Sequence, residues 1–267
     1  MCIEGHCGQH PQHMWHQLLE RLPRPKLQLH FWECPLRHAV LGFFFKPVGM
    51  LLPHELLATL YHCYPKVWDR FVYVSQSRCR QFWDAVSDTV HFRTHPVRHR
   101  EGFKQCAIPC KIHGDGTPVV SLGKSWSKLV DIFSICSMLS TGSTRLRNFM
   151  LWMVHQSLQS ATAGHHTLHS FYRKLAWSLN AAYLGEWPEV DWRGRPLQGR
   201  RGQLADGYFW VVWVLCGDSD HLFKAYDLPN ATSNSPCPLC PCNSGDLPWW
   251  DFRPHAAWQD SLPLSLS

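Results

Sequence analysis

Residues 208–215 (YFWVVWVL) form an unbroken apolar run that stops at once at Cys216-Gly217-Asp218-Ser219-Asp220. An apolar strand without polar alternation suits a sheet covered on both faces, as a central strand is. A chain containing such a strand needs helices to cover it, so the expected class is α/β. The sequence is long enough for one large domain or two small ones. Its 14 Trp and 14 Phe belong to a packed globule rather than a disordered chain.

The surrounding pattern extends this reading. Met14, Leu18 and Leu22 repeat at spacing four over residues 12–22, an amphipathic helix stopped by Pro23 and Pro25. Residues 26–52 read as irregular and aromatic. Residues 54–71 and 76–90 carry helical stripes (Leu56, Leu57, Leu60; Cys79, Phe82, Trp83, Val86). A basic, His-rich connector at residues 91–104 marks a boundary. Beyond it, residues 108–112, 128–139 and 149–154 read as strands, and Leu168, Phe171, Leu175 and Leu179 mark a strong helix. The expected units are 1–104, a helical N-terminal region, 105–228, a partial α/β core, and 229–267, a cysteine-rich segment and tail.

Charge and cysteine content narrow the setting. Lys and Arg number 26 against 20 Asp and Glu, a net charge of +6. That permits a polyanionic partner such as DNA without requiring one. The 12 cysteines would read as a disulfide framework in a small secreted chain. Here the first 30 residues hold no apolar leader core, and the longest apolar stretch, residues 39–52, is interrupted by Lys46 and Pro47. The expectation is a nuclear or cytoplasmic protein, not secreted and without a membrane partner, its thiols buried or metal-bound. No small-molecule substrate is evident.

Two acids stand at strand ends. Asp115 follows residues 108–112 between Gly114 and Gly116, and Asp218 follows Gly217 after the best strand. Carboxylates held this way can cage hard cations for phosphoryl transfer, which commonly uses two metal ions about 4 Å apart. The same residues are also ordinary turn formers. Asp220 competes with Asp218 for the role, and Asp131, inside the second strand, is a further candidate.

The run Pro109 to Ser127 (PCKIHGDGTPVVSLGKSWS), continued by Val130-Asp131-Ile132, resembles a recurrent segment of dinoflagellate repetitive-element proteins. Asn148-Phe149-Met150, residues 186–192 (EWPEVDW), 207–221, 235–240 and 250–258 (WDFRPHAAW) do so as well. The layout is similar to DDE-type transposases related to the KDZ and Plavaka groups. The resemblance implies a ribonuclease-H-like mixed sheet, preceded by a helical N-terminal region and carrying a Cys-rich insertion at the C-terminal end. It implies Asp115 and Asp218 as catalytic Mg²⁺ ligands for DNA strand cleavage and transfer. The transposase pattern also needs a third acid, usually Glu, after the insertion, and no Glu follows Glu189. The reading is therefore a truncated transposase-like protein, inactive alone. The alternatives are a non-catalytic module binding nucleic acid or protein, and a non-functional relic.

Cys237-Pro238-Leu239-Cys240 can supply two thiolates to Zn²⁺, with Cys242 and His255 the nearest further ligands. The Cys and His residues between Cys2 and His16 fit no standard knuckle. Gly123-Lys124-Ser125 fails as a nucleotide-binding loop because Pro118 stands where glycine is needed. Lys124 and Lys128, with Arg193, Arg195, Arg200 and Arg201, are the candidate contacts to a nucleic acid backbone, or simply solvated residues.

Overall fold

The computed structural model describes residues 26–118, 129–226, 228–229, 232–237, 241–251, 253 and 255–258. The helix expected at residues 12–22 lies outside them. The fold is mixed α/β. Strands β1 (His30–His38) and β2 (Gly42–Met50) form an antiparallel hairpin. Strands β3 (Ala107–Pro118), β4 (Leu129–Ser137), β5 (Phe149–His155) and β6 (Phe209–Cys216) form a second sheet of order β5-β4-β3-β6. β3, β4 and β5 run antiparallel in turn, and β6 lies parallel to β3. The main helices are α1 (Pro53–Cys63), α2 (Gln76–Ala85), α3 (Thr167–Leu184) and α4 (Ser219–Tyr226).

Local chemistry accounts for these helices. α1 starts at Pro53, where the missing N–H costs nothing, and buries Leu56, Leu57 and Leu60. Ser75 caps α2 by accepting from the Arg78 N–H. α3 buries Leu168, Phe171 and Leu175 and ends at Gly185, whose φ of 78° is left-handed. It is the crossover that carries the chain from β5 to the far side of β3, as a parallel pair requires.

Three expectations change. Residues 26–52 are not irregular: His30–Met50 is a hairpin whose inner face buries Trp32, Cys34 and Leu36. The N-terminal region is therefore not all helical, because the aromatic content (Phe31, Trp32, Phe43, Phe44, Phe45) favours strands that the Pro and Gly residues obscured. The connector at residues 91–104 folds as short helical turns, with Phe92 and Phe103 packed on Trp83. β6 is an edge strand rather than a central one: among the described residues no strand pairs beyond it, and Leu215 is 51% exposed. Its apolarity comes from cover on its faces. α3 packs against it, and Trp213 is lined by Phe82, Trp83 and His91.

One continuous core joins buried side chains from the hairpin, from α1 and α2, and from the sheet. It crosses the boundary expected at residue 104. Cys34, Cys79, Cys110 and Cys136 are buried in it or at its edge. Among the described residues no helix is long and apolar enough to cross a membrane.

α1 is tied to α3 through His54. Its backbone N–H donates to Ser178 Oγ at 3.2 Å, and its Nδ1 lies 2.7 Å from the same oxygen. Burial, reinforced by nearby His30, lowers the His54 pKa from 6.5 to about 4. The unfolded chain thus takes up this proton before the folded chain does. Stability from this group is complete above pH 6.5 and is lost as pH falls toward 4. We expect the urea midpoint to drop over that window, and His54→Gln to drop less over the same pH range. Equal slopes for the two chains would sink the assignment.

Candidate functional site

Asp115 lies inside β3 rather than in a turn after it, since the strand runs on to Pro118 and pairs Asp115 with Ile132. Gly114 and Gly116 therefore do not turn the chain. Gly114 makes room: a Cβ there would lie 1.9 Å from His221 Nε2 and 2.4 Å from its Cε1. Gly217 does the same at the end of β6, where a Cβ would lie 2.9 Å from His221 Cδ2 and 3.0 Å from the Gly114 oxygen. His221, in the first turn of α4, is packed over both strand ends and against Phe133.

The parallel register of β3 and β6 runs to His113 opposite Cys216. Asp115 and Asp218 follow two residues later at the same end of neighbouring strands. Asp218 is exposed, and its Oδ1 accepts the His221 N–H at 2.6 Å, capping α4. Asp131 of β4 pairs with Gly116 and is 8% exposed. Its Oδ1 accepts from Gln156 Nε2 at 2.7 Å and its Oδ2 from Gln159 Nε2 at 2.5 Å.

A cavity of about 50 Å³ opens among Asp131, Asp218, His221, Gln156 and Lys224. Asp115 does not line it. Side chains alternate along a strand, so Asp115 takes the opposite side of β3 from Gly114 and Gly116. Burial is the main influence on His221 and lowers its pKa; Asp131, Asp218 and Asp115 act against it, and His113 with it. The ring is 6% exposed and its Nε2 has no hydrogen-bond partner. The site thus holds a buried imidazole, its Nε2 closed against Gly114, within electrostatic reach of three carboxylates. Its chemistry is that of hard oxygen donors with one nitrogen beside them.

Among the described residues no three His, Cys, Asp or Glu side chains gather into a metal-binding group. Cys237 is half-buried, Cys242 buried and His255 exposed, while Cys240 lies outside the described residues. Lys124 and Lys128 lie outside them too. Arg193, Arg195, Arg200 and Arg201 are all exposed on one loop. Asp191 shapes that loop, its Oδ1 accepting the Arg193 and Arg195 N–H groups at 2.8 and 2.9 Å. Arg193 lies 5.6 Å over the Trp192 ring and Arg200 4.9 Å over Trp187.

Sequence reasoning missed His221, Gln156 and Gln159. His221 stands three residues after Asp218, the spacing at which a helix N-cap reaches back to a backbone N–H. The two glutamines carry no such signal. Compared with known protein families, with curated proteins and with solved structures, the chain matches none.

Proposed function

We propose that the chain is a transposase-like protein whose four-stranded sheet is a ribonuclease-H-like core, ancestrally a Mg²⁺-dependent DNA strand-cleaving and strand-transferring unit. One observation carries the reading. The first strand of the sheet and the fourth are parallel neighbours, and Asp115 and Gly217-Asp218 occupy the same end of both. That is the layout the resemblance to DDE-type transposases implies. The exposed arginine loop supports a nucleic acid partner.

The residues answer a hard cation only in part: Asp218 offers carboxylate oxygen to the cavity, while Asp115 takes the opposite side of β3 and His221 Nε2 is closed against Gly114. Mg²⁺, when bound, supplies charge stabilisation and an activated water. The chain's own residues hold the site's shape: Asp218 fixes α4, α4 seats His221, and His221 fills the space left by Gly114. On this reading Asp115 and Asp218 are two of the acids that strand transfer uses, and loss of either is expected to cost most of the rate. Zinc on Cys237, Cys240, Cys242 and His255 would need side chains that gather, which the three described ones do not do.

A second reading is a non-catalytic binding module. It is favoured by the fact that Asp131 is engaged by two glutamines and Asp218 by a helix N-terminus, which are structural tasks. Calorimetric titration with Mg²⁺ and Mn²⁺ separates the two. Binding by the native chain, lost in Asp115→Asn/Asp218→Asn, is the expected result. No binding to either protein would leave the binding module.

A further inference from the structure

A cavity of about 720 Å³ shares no lining residue with the carboxylate site. It lies between α1, α3 and the arginine loop. Its volume falls within the roughly 300–1,000 Å³ of ordinary ligand sites. Trp177, Trp187 and Trp192 form its aromatic walls, and Lys26, Glu55, Asp191 and Arg200 its charged ones.

Three observations restrict the ligand. First, the faces of the tryptophans already hold cations: Arg200 lies 4.9 Å over Trp187, and Lys174 lies 4.7 Å over Trp192. A cationic ligand would compete with the protein's own charges. Second, Lys26 and Arg200 stand against Glu55 and Asp191 in the lining, so the cavity is mixed in sign. A ligand that carries an anion together with hydrogen-bond donors answers both signs. Third, His30 lines the cavity with a buried Nε2 that has no partner. An unpartnered buried nitrogen is costly and asks for a hydrogen bond. Glu55, half-buried in the same lining, has its carboxyl pKa raised by burial against the pull of Arg200. A wholly apolar ligand would leave both groups unanswered.

We propose that this cavity binds a nucleotide unit, its base held among the tryptophans and hydrogen-bonded by His30 and Glu55, its phosphate met by Lys26 and Arg200. A flat ring with polar edges and an attached anion satisfies all three restrictions. Aromatic walls beside a cationic track are the usual means of holding unpaired bases. A base still paired in a duplex has its polar edges occupied and its faces stacked, so it does not fit. The proposal stands on the cavity alone and does not require a metal at Asp115 and Asp218.

The test is calorimetric titration of the full chain with 5′-mononucleotides, with a single-stranded DNA octamer, and with a blunt DNA hairpin. The variants are Arg200→Ala, Glu55→Gln and Asp115→Asn/Asp218→Asn. Arg200 is exposed, and Glu55→Gln preserves shape, so both variants keep the fold, checked by circular dichroism. We expect single-stranded ligand to bind at least tenfold more tightly than the hairpin. Arg200→Ala and Glu55→Gln should each weaken it by about tenfold, and the double aspartate variant should leave it unchanged. Mononucleotides binding as tightly as the octamer would identify a free nucleotide as the ligand. Binding of the octamer alone would identify an unpaired base in a strand. No binding of either, equal binding of the hairpin, or loss only in the double aspartate variant would overturn the proposal.

Discussion

Gly114→Ala is expected to destabilise the protein by about 3 kcal/mol or more, a large share of the roughly 5–15 kcal/mol that holds a domain folded. The added methyl would meet His221 Nε2 at 1.9 Å and Cε1 at 2.4 Å, distances that no neighbour tolerates. The imidazole has little room to yield. It is 6% exposed, lies 5.3 Å from the Phe133 ring and 5.8 Å from Tyr226, and its helix is capped through its own N–H. Relief therefore requires α4 to move or β3 to separate from β6. Removing the obstacle should remove the penalty. His221→Ala alone loses ring packing, at about 2 kcal/mol, and in that background Gly114→Ala should cost less than about 1 kcal/mol. Urea unfolding of the four proteins measures the coupling. A Gly114→Ala protein within about 0.5 kcal/mol of the native chain would show that the close approach is not what fixes glycine there.

The same residues explain how much could be read in advance. Local pattern alone located β3, β4, β5, α3 and β6: the strands as apolar, β-branched or aromatic runs, the helix by its stripe of Leu168, Phe171 and Leu175. The pairing of Asp115 with Asp218 followed from their positions after strands, and the parallel register of β3 and β6 bears on it directly. Other features depend on contacts between distant segments. Gly114 looked like a turn former because glycine beside aspartate usually is one; only His221, more than a hundred residues later, shows that the missing side chain is needed for space. β6 looked central because apolarity reports cover on the two faces and says nothing of hydrogen bonding at the edges. The hairpin was hidden because Pro35, Pro47 and Gly49 interrupt its strands, as they can in a two-stranded sheet, where each strand is an edge. The Trp-lined cavity draws on α1, α3 and the loop after it, so no window of sequence contains it.

Trp83→Ala should cost about 4 kcal/mol, and it also asks whether residues before 104 fold apart from the sheet. The side chain is fully buried and touches Phe82, Phe92, Phe103 and Trp213, the last of these on β6. Its Nε1 donates to the Ala107 oxygen at 2.8 Å, at the first residue of β3. Cys79 Sγ donates to the same oxygen at 3.1 Å. α2 is thus bonded to the opening of the central strand and packed against its parallel neighbour. Truncation removes the ring, leaves a cavity and halves the donors to a buried carbonyl. Trp83→Phe refills most of the space but not the hydrogen bond, so about 2 kcal/mol should remain. If the core is continuous, both variants shift one cooperative transition, seen alike by far-ultraviolet circular dichroism and by tryptophan fluorescence. Two transitions, with only the first displaced, would mean that α2 and the hairpin melt as a separate unit and that the sheet stands without them.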